Sequence, residues 1–176
     1  RGRLKGLIRR MDLVKAAWEN NMLTAAKAGD LMSEMPRYVK EHQSIHNAVQ
    51  AMRGLSIRAI PVVNRVEKVV GVVGYKDIAP YLYVPKHRER FGDFAGEKSA
   101  VNITVGSIMR TPPITVSPET KLEKCVELML ENDISTLIVV DANATPLGVL
   151  TMIDIIAVSY THLRAHETSL HLVCRL

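Results

Sequence analysis

Cysteine is scarce, with two in 176 residues, so the disulfide framework that braces small secreted domains is not available to this chain. No apolar run approaches the roughly 20 residues that cross a bilayer as a helix. The opening stretch is basic and has no apolar core of the kind a secretory signal needs. The body of the chain also lacks a nucleophile–base pair, a glycine-rich phosphate loop and a metal-ligating cluster, so no catalytic step is expected. His42 and His46 have the spacing of a helical metal site. Ser44 between them reads as a helix cap, however, so the two imidazoles need not share a face, and no metal is expected.

Positive charge is missing where nucleic-acid binding would need it. The formal charge is +5, but residues 1–16 carry +5 and residues 159–176 carry +1, leaving −1 for residues 17–158. Nucleic acid and membrane are therefore not expected as partners. Cys125 falls on the apolar side of a helical pattern and reads as a small core residue, which suits a reducing, cytoplasmic setting.

What the chain does have is a repeat, ungapped, at an offset of 77 residues. Gly29-Asp30-Leu31-Met32 returns as Gly106-Ser107-Ile108-Met109, Pro36 and Val39 as Pro113 and Val116, and Val49 and Met52 as Val126 and Met129. Ile57, Val62 and Val63 match Ile134, Val139 and Val140, while Gly71-Val72 and Asp77-Ile78 match Gly148-Val149 and Asp154-Ile155. Each copy brings its own apolar pattern. Each also keeps a Gly and an Asp six residues apart, a spacing that packing alone does not call for. A copy of roughly 55 residues is near the lower limit for a self-sufficient core, so the copies are expected to pack together. Paired repeats of this kind leave a cleft where ligands often sit.

Each copy reads as strand, helix, strand, strand, helix, an α/β arrangement. In the second, Ile114 to Val116 is a short strand, Thr120-x-x-Glu123 a capping box, and Leu122, Cys125, Val126 and Met129 recur at helical spacing. Strands follow at Thr136 to Val140 and Leu147 to Leu150 around the turn at 141–144, and a closing helix starts near Asp154. The first copy repeats the plan, with a helix behind Ser44, strands at Ala59 to Val63 and Val69 to Val73, and a helix to about Tyr83. A partial third copy opens the chain, since Gly6 to Leu13 has the spacing of Gly71 to Ile78.

The Gly-φ-φ-x-x-x-Asp segments (φ apolar), the Ile57-x-x-Ile60-Pro61-Val62-Val63 run and the tandem order resemble CBS domains paired as a Bateman module. The likeness covers residues 27–158, and the long charged insert is similar to that of prokaryotic, often archaeal, proteins with four such domains. It implies two β-α-β-β-α repeats around a pseudo-twofold axis. The expected division is 1–16 as the end of a preceding repeat, 17–26 as a linker helix, 27–83 as repeat one, 84–103 as a charged linker and 104–157 as repeat two.

The resemblance further implies a regulatory module, not an enzyme. It would need no cofactor, and would bind AMP, ADP, ATP or S-adenosylmethionine between the repeats and pass occupancy to a partner domain or subunit, commonly as a homodimer. Thr151 and Asp154 stand where the family holds phosphate and ribose, and Ile114, Ile134 and Thr136 where it encloses the adenine. An Asp carboxylate accepts from ribose hydroxyls and a Thr hydroxyl donates to phosphate. The first copy keeps Asp77 but has Gly74 in place of the hydroxyl residue, and its Arg58 matches a basic phosphate contact. Two alternatives remain open: a ligand-free dimerisation module, and a regulatory fragment of a larger enzyme or transporter.

Residues 158–176 (Val-Ser-Tyr-Thr-His-Leu-Arg-Ala-His-Glu-Thr…) resemble a translated sequencing adapter. They are read as non-native, and the histidines within them as no metal site.

Overall fold

In the computed structural model, residues 3, 5–20, 22–23, 25–34, 38–55, 57–82 and 103–159 are described. Most of the charged segment 84–103 and the tail from residue 160 onward, with the adapter reading placed on it, lie outside them. Among the described residues no helix is long and apolar enough to cross a membrane.

The first copy runs β2 (Val39–Lys40), helix Ile45–Leu55, β3 (Ala59–Val63), β4 (Val69–Gly74) and helix Tyr75–Leu82. The second runs β5 (Thr115–Val116), helix Leu122–Glu131, β6 (Thr136–Val140), β7 (Pro146–Thr151) and a helix over 152–159. This is the α/β order expected from the repeat. Ahead of both stand the helix Arg10–Glu19, a short helix Ala28–Leu31 and β1 (Ser33–Glu34). Of the linker helix expected over 17–26, only residues 17–19 are helical among the described residues, as the end of the helix Arg10–Glu19. It stops at Asn20, whose backbone and side-chain N–H groups both turn back to the Ala16 carbonyl.

One sheet has the order β2-β3-β4, parallel at Val39↔Val62 and antiparallel from Ala59↔Gly74 to Val63↔Val69. All five residues of β3 are buried, as befits a central strand covered on both faces. Pro61 is tolerated there because β2 pairs only with Val62 and Val63 and does not reach it. The other sheet has the order β1-β7-β6-β5.

The chain forms two compact units. One comprises Glu34–Thr115 and Val140–Gly148, and its core includes Ile45, Met52, Ile60, Val62 and Ile78. The other comprises Arg1–Ser33, Val116–Val139 and Val149–Leu176, with Val14, Leu122, Met129, Ile138, Leu150 and Ile155 inside. In this second unit the helix Arg10–Glu19 packs on the helix Leu122–Glu131. Burying one such Ile or Leu side chain contributes about 1.5–3 kcal/mol.

Cys125 is fully buried and unpaired, and burial pushes its thiol up to about 11. Ser44 accepts from the Asn47 amide at 3.4 Å and the helix begins at Ile45, so His42 lies ahead of it.

Two expectations change. Thr120 forms no capping box: its Oγ1 accepts from the Ser117 amide at 3.1 Å, and the helix starts one residue later with Lys121 as N-cap. The Leu122 amide is instead satisfied by the Ala26 carbonyl at 3.0 Å. Packing also does require Gly71. A Cβ there would sit 2.6 Å from Met109 Sδ, 2.9 Å from its Cγ and 3.0 Å from the Arg110 carbonyl oxygen.

Candidate functional site

The segments that close the two copies share one backbone device. Where β7 runs into the helix at 152, the Thr151 amide donates to Asp154 Oδ2 at 2.8 Å. Where β4 runs into the helix Tyr75–Leu82, the Gly74 amide donates to Asp77 Oδ2 at 2.8 Å. At the start of the chain the Arg9 amide donates to Asp12 Oδ2, again at 2.8 Å. In all three an Asp in the first helical turn accepts from the residue just ahead of the helix. It thereby satisfies an amide that would otherwise lack a partner and sets negative charge against the helix N-terminus. The local fold therefore places each carboxylate in the first turn of a helix, and for Asp77 and Asp154 that turn follows directly on a strand.

Their chemical surroundings differ. Asp12 is paired with the guanidinium of Arg9 at 3.2 Å, and that amide and guanidinium hold its carboxyl below the usual range. Asp77 meets Arg110, whose Nε lies 3.2 Å from both carboxylate oxygens. Among the described residues, no cation pairs with Asp154. Its Oδ2 accepts from both the amide and the hydroxyl of Thr151, each at 2.8 Å, and its Oδ1 is left to accept from elsewhere. The Thr151 hydroxyl proton points at Asp154, so donation to a phosphate requires that rotor to turn.

Around Thr151 the neighbouring strand supplies the remaining groups. The Met152 amide donates to the Ser135 carbonyl at 3.2 Å, which brings Ile134 and Thr136, on either side of Ser135, to the same turn. A Schellman closure positions Ile134: Asp133 takes φ 49°, and the Ile134 amide returns to the Met129 carbonyl at 3.0 Å. Thr136 is buried as the first residue of β6.

In the other unit the Tyr75 amide donates to the Arg58 carbonyl at 3.2 Å, so the backbone of Arg58 adjoins the Gly74–Asp77 turn and its side chain is exposed. A Cβ on Gly74 would meet that carbonyl at 3.0 Å. Ile114 is half-buried, just ahead of β5. Sequence reasoning missed Arg110. Nothing in its local spacing marks it, because what brings it to Asp77 is a bridge to Val72 from a segment beyond the linker.

The family profile for the CBS domain matches residues 28–83 and 105–160. "Uncharacterized protein MJ1404" of Methanocaldococcus jannaschii is 30% identical over 156 residues, which is 88% of this chain and 37% of that protein. The chain thus spans little more than a third of this relative. A solved structure of the CBS domain pair of protein MJ0100, in complex with 5′-methylthioadenosine and S-adenosyl-L-methionine, superposes with a TM-score of 0.60 at 25% identity, covering 75% of this chain and 94% of that one. CBSX2, an Arabidopsis thaliana CBS-pair protein solved in complex with AMP, does so with a TM-score of 0.61 at 25% identity, covering 77% and 97%.

Proposed function

The chain belongs to the CBS domain family, as a tandem pair that is a regulatory module and not an enzyme, and on that premise we propose that it binds an adenosyl ligand at the Thr151–Asp154 turn. The observation that carries this is the state of Asp154, a carboxylate held by two local hydrogen bonds, with one oxygen open and no cation on it among the described residues. Such a group accepts from both hydroxyls of a ribose. Ile134 and Thr136 at the same turn would face the adenine. The Thr151 hydroxyl would turn from Asp154 to a phosphate oxygen. The ligand complexes of MJ0100 and CBSX2 support the choice of ligand class.

AMP, ADP, ATP and S-adenosylmethionine are the ligands to distinguish. Occupancy is passed to a partner domain or subunit, with a homodimer of pairs as the working assembly. The buried free thiol of Cys125 supports a cytoplasmic setting.

The test is a thermal shift of the full chain with each of the four ligands, with Asp154→Ala alongside. A ligand at 100 times its dissociation constant adds about 2.7 kcal/mol, a rise of about 5–11 °C for a chain of this size. A rise with at least one ligand, lost in Asp154→Ala, is expected. No rise with any of them would favour a ligand-free dimerisation module.

A further inference from the structure

The three helix-start turns are alike in backbone and unlike in charge, and this inequality bears on stoichiometry. We propose that Arg110 is a built-in counter-cation that withholds Asp77 from a ligand's ribose, so that the chain takes one adenosyl ligand, at Thr151–Asp154. The inference rests on the reading of that turn given above.

The Arg110 side chain is half exposed, but its backbone is held in place. Its amide donates to the Val72 carbonyl at 2.8 Å and its carbonyl accepts from the Val72 amide at 3.1 Å. This bridge fixes its backbone beside β4, two residues from where the strand ends. From there Nε lies 3.2 Å from both oxygens of Asp77, whose side chain is only 14% exposed. Asp77 Oδ2 also takes the Gly74 amide. A ribose hydroxyl is a neutral donor, so its bond to the carboxylate lacks the ion-pair attraction that the guanidinium adds. To seat on Asp77 a ribose would have to displace Arg110.

Among the described residues the second copy has no such competitor. The residue 77 positions before Arg110 is Ser33, which is short and uncharged. The first copy also has Gly74 where the second has the Thr151 hydroxyl, so it offers the incoming ligand less in exchange. Both differences act in one direction.

Titration calorimetry of the full chain with AMP tests the assignment. The wild type is expected to bind one AMP, and Asp154→Ala to bind it at least tenfold more weakly. Adding Arg110→Ser to Asp154→Ala frees Asp77 and is expected to restore about fivefold in affinity, the effect of removing a partly exposed ion pair. Adding Asp77→Ala to that double variant should abolish the gain. Arg110→Lys, which keeps the charge, should show less gain than Arg110→Ser, and melting curves establish that every variant is folded.

Weaker binding in Arg110→Ser than in its parent would overturn the proposal and make the guanidinium a ligand contact. So would two equal sites in the wild type, or no gain on removing Arg110. If the wild type binds no AMP, ATP or S-adenosylmethionine, the ligand reading itself falls, and this inference with it. If the wild type binds and Arg110→Ser changes nothing, only this inference falls.

Discussion

Gly71→Ala adds a single methyl group to β4, and the structure sets its consequence. The new Cβ would lie 2.6 Å from Met109 Sδ, which can swing aside as the far part of a flexible side chain. It would also lie 3.0 Å from the Arg110 carbonyl oxygen, which cannot move so easily, because it belongs to the bridge with Val72. Relieving the clash means lifting residues 109–110 off the strand. Overpacking of this kind costs about 1–3 kcal/mol, and weakening the two bridge hydrogen bonds adds to it at about 0.5–1.5 kcal/mol each. In the opposite direction, Gly→Ala restricts the unfolded chain and returns about 0.4–1 kcal/mol, since Gly71 sits in a strand conformation open to alanine. The net expectation is a loss of about 2 kcal/mol, or about 4–8 °C in melting temperature for a chain of this size. Hydrogen exchange should quicken at the Val72 and Arg110 amides while Ile60 in the neighbouring strand stays protected. A variant as stable as the wild type, with both amides still protected, would refute the argument.

Three further outcomes are expected. Without ligand, Asp154→Ala loses the acceptor of two hydrogen bonds and a helix-end charge, for about 1–2 kcal/mol by denaturant unfolding. Thr151→Val keeps the amide bond to Asp154 and should cost less, so equal losses in the two variants would argue against the described turn. In a Cys174→Ser background, stability should hold below the ordinary thiol range and fall as pH rises toward about 11, because only the unfolded thiol ionises in that interval. The loss approaches about 3 kcal/mol at the upper end, and a stability curve no flatter in Cys125→Ala would contradict it.

Much of the fold was legible because apolar periodicity carries it. Ile45, Ala48, Val49 and Met52 mark one helix, Leu122, Cys125, Val126 and Met129 another, and the all-apolar runs at 59–63 and 136–140 became buried strands. What could not be read depends on partners distant in sequence. Gly71 looked free of packing demands because Met109 is 38 residues away. The Thr120 capping pattern was locally sound, but its hydroxyl accepts from the Ser117 amide and the helix starts a residue later, with the Leu122 amide on the Ala26 carbonyl.

The turns after β3 and β6 hid a further correspondence. Asn64 accepts the Val66 and Lys68 amides, and Asp141 those of Asn143 and Thr145, with Glu67 and Ala144 both at positive φ. Asn64 and Asp141 are themselves 77 residues apart. The match is in acceptor geometry and not in residue identity, so a comparison of letters passes over it. At the candidate site, Asp154 and Asp77 were visible from their spacing, whereas the cation that distinguishes them was not.

Whether an adenosyl ligand seats on the Thr151–Asp154 turn is read by NMR of the ¹⁵N,¹³C-labelled full chain titrated with AMP. Saturable shifts of the Thr151 amide and the Asp154 side-chain carboxyl are expected, with Asp77 unmoved, and the Thr151 shift lost in Asp154→Ala. Saturation at other residues while Thr151 and Asp154 stay fixed would contradict that seating.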